Sequence, residues 1–140
     1  MDVVLQTQSG DPMLALRDVT WFTDGSGYYA RLSVQSGGYR LDRPFAFDRA
    51  GLLEFLAALA SMDQTLTGFA ELRTPLEDDF IRLELSRRGS VYVTGESREA
   101  AELEQCLRFG FTTDQTVLAP FARDLEAAAW HDSFKDALAK

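Results

Sequence analysis

Few side chains in this chain are suited to chemistry. It has one histidine, His131, one cysteine, Cys106, and one dense titratable run, Glu77-Asp78-Asp79. A histidine can serve as a general base because its ordinary pKa lies near ~6.5. Catalysis would also need a nucleophile and an orienting acid, and the sequence places neither beside His131. It follows Trp130 near the end of a predicted helix, where an imidazolium meets the carbonyl end of the helix dipole. We read it as structural. A reactive thiol needs a nearby cation or a helix N-terminus. Cys106 has only Arg108 two residues on, and reads as a small strand residue. Glu77, Asp78 and Asp79, together with Asp114, suggest a hard-cation site. The D-x-D-x-D-G spacing is absent and no glycine follows to bend the chain, so the run reads as a solvated loop that doubles as a contact patch for a basic partner.

Other motifs fail on spacing. The 22 acidic residues allow many carboxylate pairs for glycoside chemistry, but none is singled out. Gly25-Ser26-Gly27 lacks the third glycine of a dinucleotide fingerprint and sits in a predicted hairpin. No catalytic, metal or cofactor-binding residue is assigned, and no cofactor is expected.

The elements that must position these residues follow from periodicity. Val3 to Gln8 and Met13 to Phe22 read as strands. Asp24-Gly25-Ser26-Gly27 is a turn, because glycine tolerates positive φ. Tyr28, Ala30, Leu32 and Val34 alternate with Tyr29, Arg31, Ser33 and Gln35, as in a half-buried strand. Gly37-Gly38 then turns the chain into a strand from Tyr39 to Phe47. Asp48 caps a helix whose Leu52, Phe55, Leu56, Leu59 and Met62 form one apolar stripe ending near Asp63-Gln64. Strands return at Gly68 to Thr74, around Ile81, Leu83 and Leu85, at Ser90 to Glu96 after the Arg87-Arg88-Gly89 turn, and at Leu103 to Thr112. A second helix starts at Thr113 or Asp114, with Leu118, Phe121, Leu125 and Ala128 on its apolar face and Pro120 in its first turns. Asp132 to Lys140 reads as a short closing helix. Strands joined by tight turns are antiparallel, and helices set between runs of strands indicate α+β. The expected fold is a twisted, mainly antiparallel sheet of seven or eight strands with a mid-chain and a C-terminal helix, in a single domain over 1–140. No repeat, low-complexity segment or linker is apparent.

Composition excludes several classes of function. The chain has 140 residues, 46% of them hydrophobic, including ten Phe, which suffices for a core. A net charge of −8 argues against nucleic-acid and anionic-membrane partners, which require a basic face. One cysteine cannot form an internal disulfide. No signal peptide or membrane-length apolar run is present, so a cytoplasmic location is expected. Trp21-Phe22 and Tyr28-Tyr29 put aromatics on both faces of neighbouring strands. Core on both faces, the second covered by a helix, is the favoured reading, and an exposed aromatic patch is the alternative.

Three stretches together carry a resemblance. They are Tyr28-Tyr29-Ala30-Arg31-Leu32-Ser33-Val34 leading to Gly37-Gly38, then Phe45-Ala46-Phe47-Asp48 running into Leu52-Leu53-Glu54-Phe55-Leu56, and Phe109-Gly110-Phe111-Thr112-Thr113-Asp114-Gln115-Thr116 leading into Leu118. This layout resembles small bacterial WapI-type immunity proteins and related uncharacterised domains over roughly residues 12–129. The motifs are a doublet turn, a cap and a strand-to-helix junction, so the resemblance implies no catalytic residue. It implies a non-enzymatic protein that neutralises a toxin domain by binding it.

The leading expectation is therefore a protein partner, a basic toxin domain, approached with electrostatic steering. Glu77, Asp78, Asp79 and Tyr39 are the expected contacts, with Trp21 and Tyr29 as aromatic anchors. The alternatives are a small hydrophobic-ligand domain with an apolar pocket, a carboxylate-based hydrolase and a homodimeric scaffold.

Overall fold

The hairpins at residues 24–27, 37–38 and 87–89 close where the turn residues expected them, and the strands assemble into two sheets. The structure, a computed structural model, describes residues 1–7, 9–75 and 78–139, the last nine as backbone. Strands β1 (Val3–Leu5), β2 (Met13–Trp21), β3 (Gly27–Ser36) and β4 (Tyr39–Asp48) form one antiparallel sheet in the order β1-β2-β3-β4. Helix α1 (Arg49–Thr65) follows. Strands β5 (Gly68–Arg73), β6 (Phe80–Leu85), β7 (Ser90–Glu99) and β8 (Gln105–Asp114) form the second sheet in the order β5-β6-β7-β8. A 3-10 turn (Gln115–Val117) leads into α2 (Leu118–Ala139). The fold is α+β, with eight antiparallel strands in two sheets of four. The strands divide because α1 carries the chain away from β4 before β5 begins.

Alternation places the core. Ala30, Leu32 and Val34 of β3 are buried between exposed Tyr29 and Arg31, as are Leu83 and Leu85 around Glu84. In β2 the alternation breaks. Asp18 takes φ 53 in a bulge, so Leu14 and Leu16 face inward before it and Val19 faces inward after it. The N-terminus holds that bulge, since the Asp2 carboxylate accepts from the Asp18 N–H at 2.8 Å and Val19 N–H donates to the Met1 carbonyl at 3.0 Å.

Asp48 caps α1 by accepting from the Gly51 N–H at 2.6 Å. Leu52, Phe55, Leu59 and Met62 are its buried stripe, with Leu56 half-buried. The helix ends at Thr65, one residue past the expected Asp63-Gln64, and is capped by Leu66, which adopts the left-handed conformation and whose N–H reaches the Met62 carbonyl. Asp114 accepts from the Thr116 N–H at 2.8 Å and caps the 3-10 turn, so α2 proper starts at Leu118, later than expected. The closing segment after Asp132 continues α2 as one helix. Strand β8 is displaced from the expected Leu103 to Thr112, because Gln105↔Glu99 and Asp114↔Ser90 set its register with β7. Leu103 is left 81% exposed in the preceding turn.

The chain contains a repeat, one of architecture and spacing rather than of residue identity. Four antiparallel strands, a capping Asp and a helix occur twice. Asp48, Leu52, Phe55, Leu59 and Met62 recur at identical spacing as Asp114, Leu118, Phe121, Leu125 and Ala128. Each helix packs against the opening strand of the other half, α1 on β5 and α2 on β1 and β2. The helices meet where Phe55 and Phe121 stack edge to face, with centroids 6.4 Å apart. Buried residues from both sheets and both helices form one contiguous cluster. No described helix is long and apolar enough to cross a membrane.

Candidate partner-binding site

The acidic run does not act as a unit. Asp79 is 1% exposed, and its carboxylate accepts from the Ser97 hydroxyl at 3.1 Å and from the Arg98 N–H at 3.0 Å. Its backbone N–H donates to Thr74 Oγ1 at 3.1 Å, and its carbonyl accepts from the Thr74 N–H at 2.9 Å. Asp79 thus fastens the β5–β6 connection to β7. A buried carboxylate that accepts two hydrogen bonds inside the fold does not face a partner, which corrects its expected contact role. Asp78 takes φ 58 and is exposed. Glu77 lies outside the described residues.

Asp78 stands at one end of a cleft of about 580 Å³ between α1 and β5. Gly51, Glu54 and Ala58 share a helix face beside the buried stripe of α1 and make one wall. Phe69, Glu71 and Arg73 make the other, because they alternate with buried Ala70 and Leu72 and so point outward. Four carboxylates line the cleft, those of Asp48, Glu54, Glu71 and Asp78, against the single guanidinium of Arg73. Asp48 is committed to the helix cap. Glu71 binds Arg73 Nε and lies 3.6 Å from Arg82. Glu54 and Asp78 form no ion pair among the described residues.

The outer face of the second sheet continues from this cleft. Phe69 is 51% exposed, with the Arg82 guanidinium 3.8 Å from its ring centroid, and Arg73 lies 4.7 Å over Phe80. Glu84 stands between Phe69 and exposed Tyr92 across the strands. Sequence reasoning placed a strand here but passed over Phe69. The signal was the alternation of Phe69, Glu71 and Arg73 with Ala70 and Leu72.

The expected aromatic anchors are not brought together. Tyr29 is exposed and meets Phe22 edge to face at 4.2 Å, so the outer face of β3 carries an aromatic patch with no covering helix among the described residues, against the favoured expectation of core on both faces. Trp21 pairs with buried Tyr28 and packs half-buried against the core. The bulge at Asp18 turns it inward, which corrects its expected anchor role. Tyr39 is exposed at the β3–β4 hairpin tip. At the rise of a strand it is roughly 20 Å from Tyr29.

Cys106 Sγ donates to Glu96 Oε1 at 3.4 Å. Its thiol is pushed up, first by desolvation and then by that carboxylate, so it stays protonated at neutral pH and is a poor nucleophile. The His131 side chain lies outside the described residues. A second groove, of about 310 Å³, runs between Leu41 and Leu107, where Arg43 reaches Glu99 at 3.6 Å and ties the two sheets.

No curated protein and no solved structure matches the chain. A family model does, the Immunity protein WapI-like family, over residues 8–129. That span contains β2 to β4, α1, the second sheet, the cleft and the first half of α2, and the chain belongs to the WapI-like immunity protein family.

Proposed function

We propose that this protein neutralises a toxin by non-covalent protein contact and performs no catalysis. Family membership over residues 8–129 carries the reading. The cleft between α1 and β5 supports a position for the contact, since Glu54 and Asp78 present carboxylates beside the exposed ring of Phe69. With a net charge of −8, the chain attracts a basic toxin domain over about a Debye length, ~8–10 Å in ordinary salt.

The test joins capture to function. Tagged protein is used to pull partners from lysate of its own source at low and high salt, and the captured protein is purified and assayed for toxicity. The expected result is a stoichiometric, salt-sensitive partner whose toxicity is abolished at equimolar protein. A captured partner whose toxicity is untouched by excess protein would refute the immunity role.

A further inference from the structure

We propose that the cleft between α1 and β5 seats one arginine side chain of the partner protein, with Phe69 as its aromatic wall and Glu54 and Asp78 as its counter-charges. The proposal rests on the toxin-contact reading and names the group that the site recognises.

Three observations converge. The lining is complementary to a cation, because four carboxylates face one guanidinium and that guanidinium is already held by Glu71 and laid over Phe80. The wall is also complementary to a planar cation. Arg82 stacks on the Phe69 ring yet does not line the cleft, whereas the ring, half exposed, does. A ring has two faces, and an incoming guanidinium on the second would complete a sandwich while its N–H fork met a carboxylate in bidentate fashion.

The third observation comes from the internal repeat. Both halves build the same cap and core stripe, so positions that the scaffold requires recur and positions free of that duty diverge. Gly51, Glu54 and Ala58 of the cleft correspond to Val117, Pro120 and Asp124 in the second half. There Val117 packs against the core, whereas Gly51 sits against the Asp48 cap, where a Cβ would come within 2.9 Å of the carboxylate, and Ala58 packs on the core. Of the three, only the exposed Glu54 has no such duty, and Pro120 stands at its place in the second half, so the carboxylate it adds to the cleft is not one the scaffold requires.

The probe is a blocked Gly-Arg-Gly tripeptide, titrated into the ¹⁵N-labelled full chain, with the citrulline tripeptide as its uncharged isostere. Saturable amide shifts are expected at Glu54, Phe69 and Asp78, and none with citrulline. Phe69→Leu, and separately Glu54→Gln with Asp78→Asn, should each weaken binding about fivefold or more. Asp63→Asn, near the other end of α1, should leave it unchanged. Preserved spectral dispersion shows that each variant is folded. Shifts spread over other surfaces, or wild-type affinity in Phe69→Leu, would overturn the proposal. Toxin neutralisation separates the two readings. A cleft that titrates in a chain that neutralises nothing sinks the immunity role alone. Full neutralisation without cleft shifts sinks the arginine seat alone.

Discussion

Adjacent residues of one charge run can have opposite duties, and Asp78 and Asp79 do. Removing the Asp79 carboxylate leaves the buried Ser97 hydroxyl and the Arg98 N–H without their acceptor. Unmet buried groups cost about 1–3 kcal/mol each, so Asp79→Ala should lower stability by about 2–3 kcal/mol in urea unfolding. Asp78→Ala, at an exposed position, should change it by less than about 0.5 kcal/mol. A similar loss for the two would contradict the division of roles. Acid is expected to destabilise the fold through carboxylates held below their usual range, three of them exposed. Asp2 is held below the usual carboxylate range first by the Asp18 N–H, Asp24 by the Ser26 hydroxyl and Asp114 by the Thr116 N–H. A group whose folded pKa is depressed stabilises the fold above its unfolded pKa, and that contribution fades as pH falls through the folded value. The urea midpoint should therefore hold from neutrality to the ordinary carboxylate range and drop below it, and Asp114→Asn should flatten part of that drop. Of these pairings only the Asp114 cap was legible in the sequence, because the others join residues through the backbone of a turn or a neighbouring strand. The acidic run was legible only as charge.

Much more of the structure was legible at the scale of elements. Asp48 and Asp114 announced themselves as caps because a carboxylate followed by an apolar stripe at helical spacing has few other uses. The strand alternations around Tyr28 to Val34 and Ile81 to Leu85 sorted inside from outside correctly. Alternation could not foresee the bulge at Asp18, since an extra residue leaves no compositional mark, and so the inward turn of Trp21 stayed hidden. The split into two sheets was likewise hidden, because strand patterns do not say which edges remain unpaired. Phe69 was overlooked for a related reason. An exposed aromatic and a core aromatic look alike until the strand's inward parity is fixed. One element boundary is conformationally costly. Leu66 ends α1 with φ 57, where a side chain meets steric conflict that glycine avoids. Leu66 is also largely exposed, so little packing is lost on replacing it. Leu66→Gly should raise stability by up to about 1 kcal/mol, net of glycine's greater unfolded-state freedom, and Asp48→Ala should lower it by about 1 kcal/mol. Thermal unfolding of the two variants checks both signs. A strand interior gives the converse case. Gly95 has no room for a methyl group, because a Cβ there would come within 2.6 Å of the Phe80 carbonyl oxygen and run into the Phe109 ring.

Over the whole molecule, duplication separates what folds the chain from what distinguishes it. The two halves exchange helices, α1 resting on β5 and α2 on β1 and β2, and Phe55 meets Phe121 where they cross. Both stripes are spent on the core, which leaves function to the outward faces, where the halves differ. Charge acts at this scale as well. A surplus of eight negative charges accelerates encounter with any basic partner, so slow association after a charge change does not by itself locate the contact. Location requires comparing equal charge changes at different places. Glu54→Lys with Asp78→Lys, at the cleft, should slow association with the captured toxin by about tenfold or more at low salt and flatten its salt dependence. Asp63→Lys with Glu102→Lys alters net charge by the same amount away from the cleft and should slow it by less than about threefold. Asp79 has no place in this comparison, because a lysine buried against Ser97 would unfold the loop rather than repel a partner. Stopped-flow association rates at two salt concentrations decide the matter. Equal slowing by the two pairs would mean that the toxin responds to the chain's net field, and the cleft would lose its claim to be the contact.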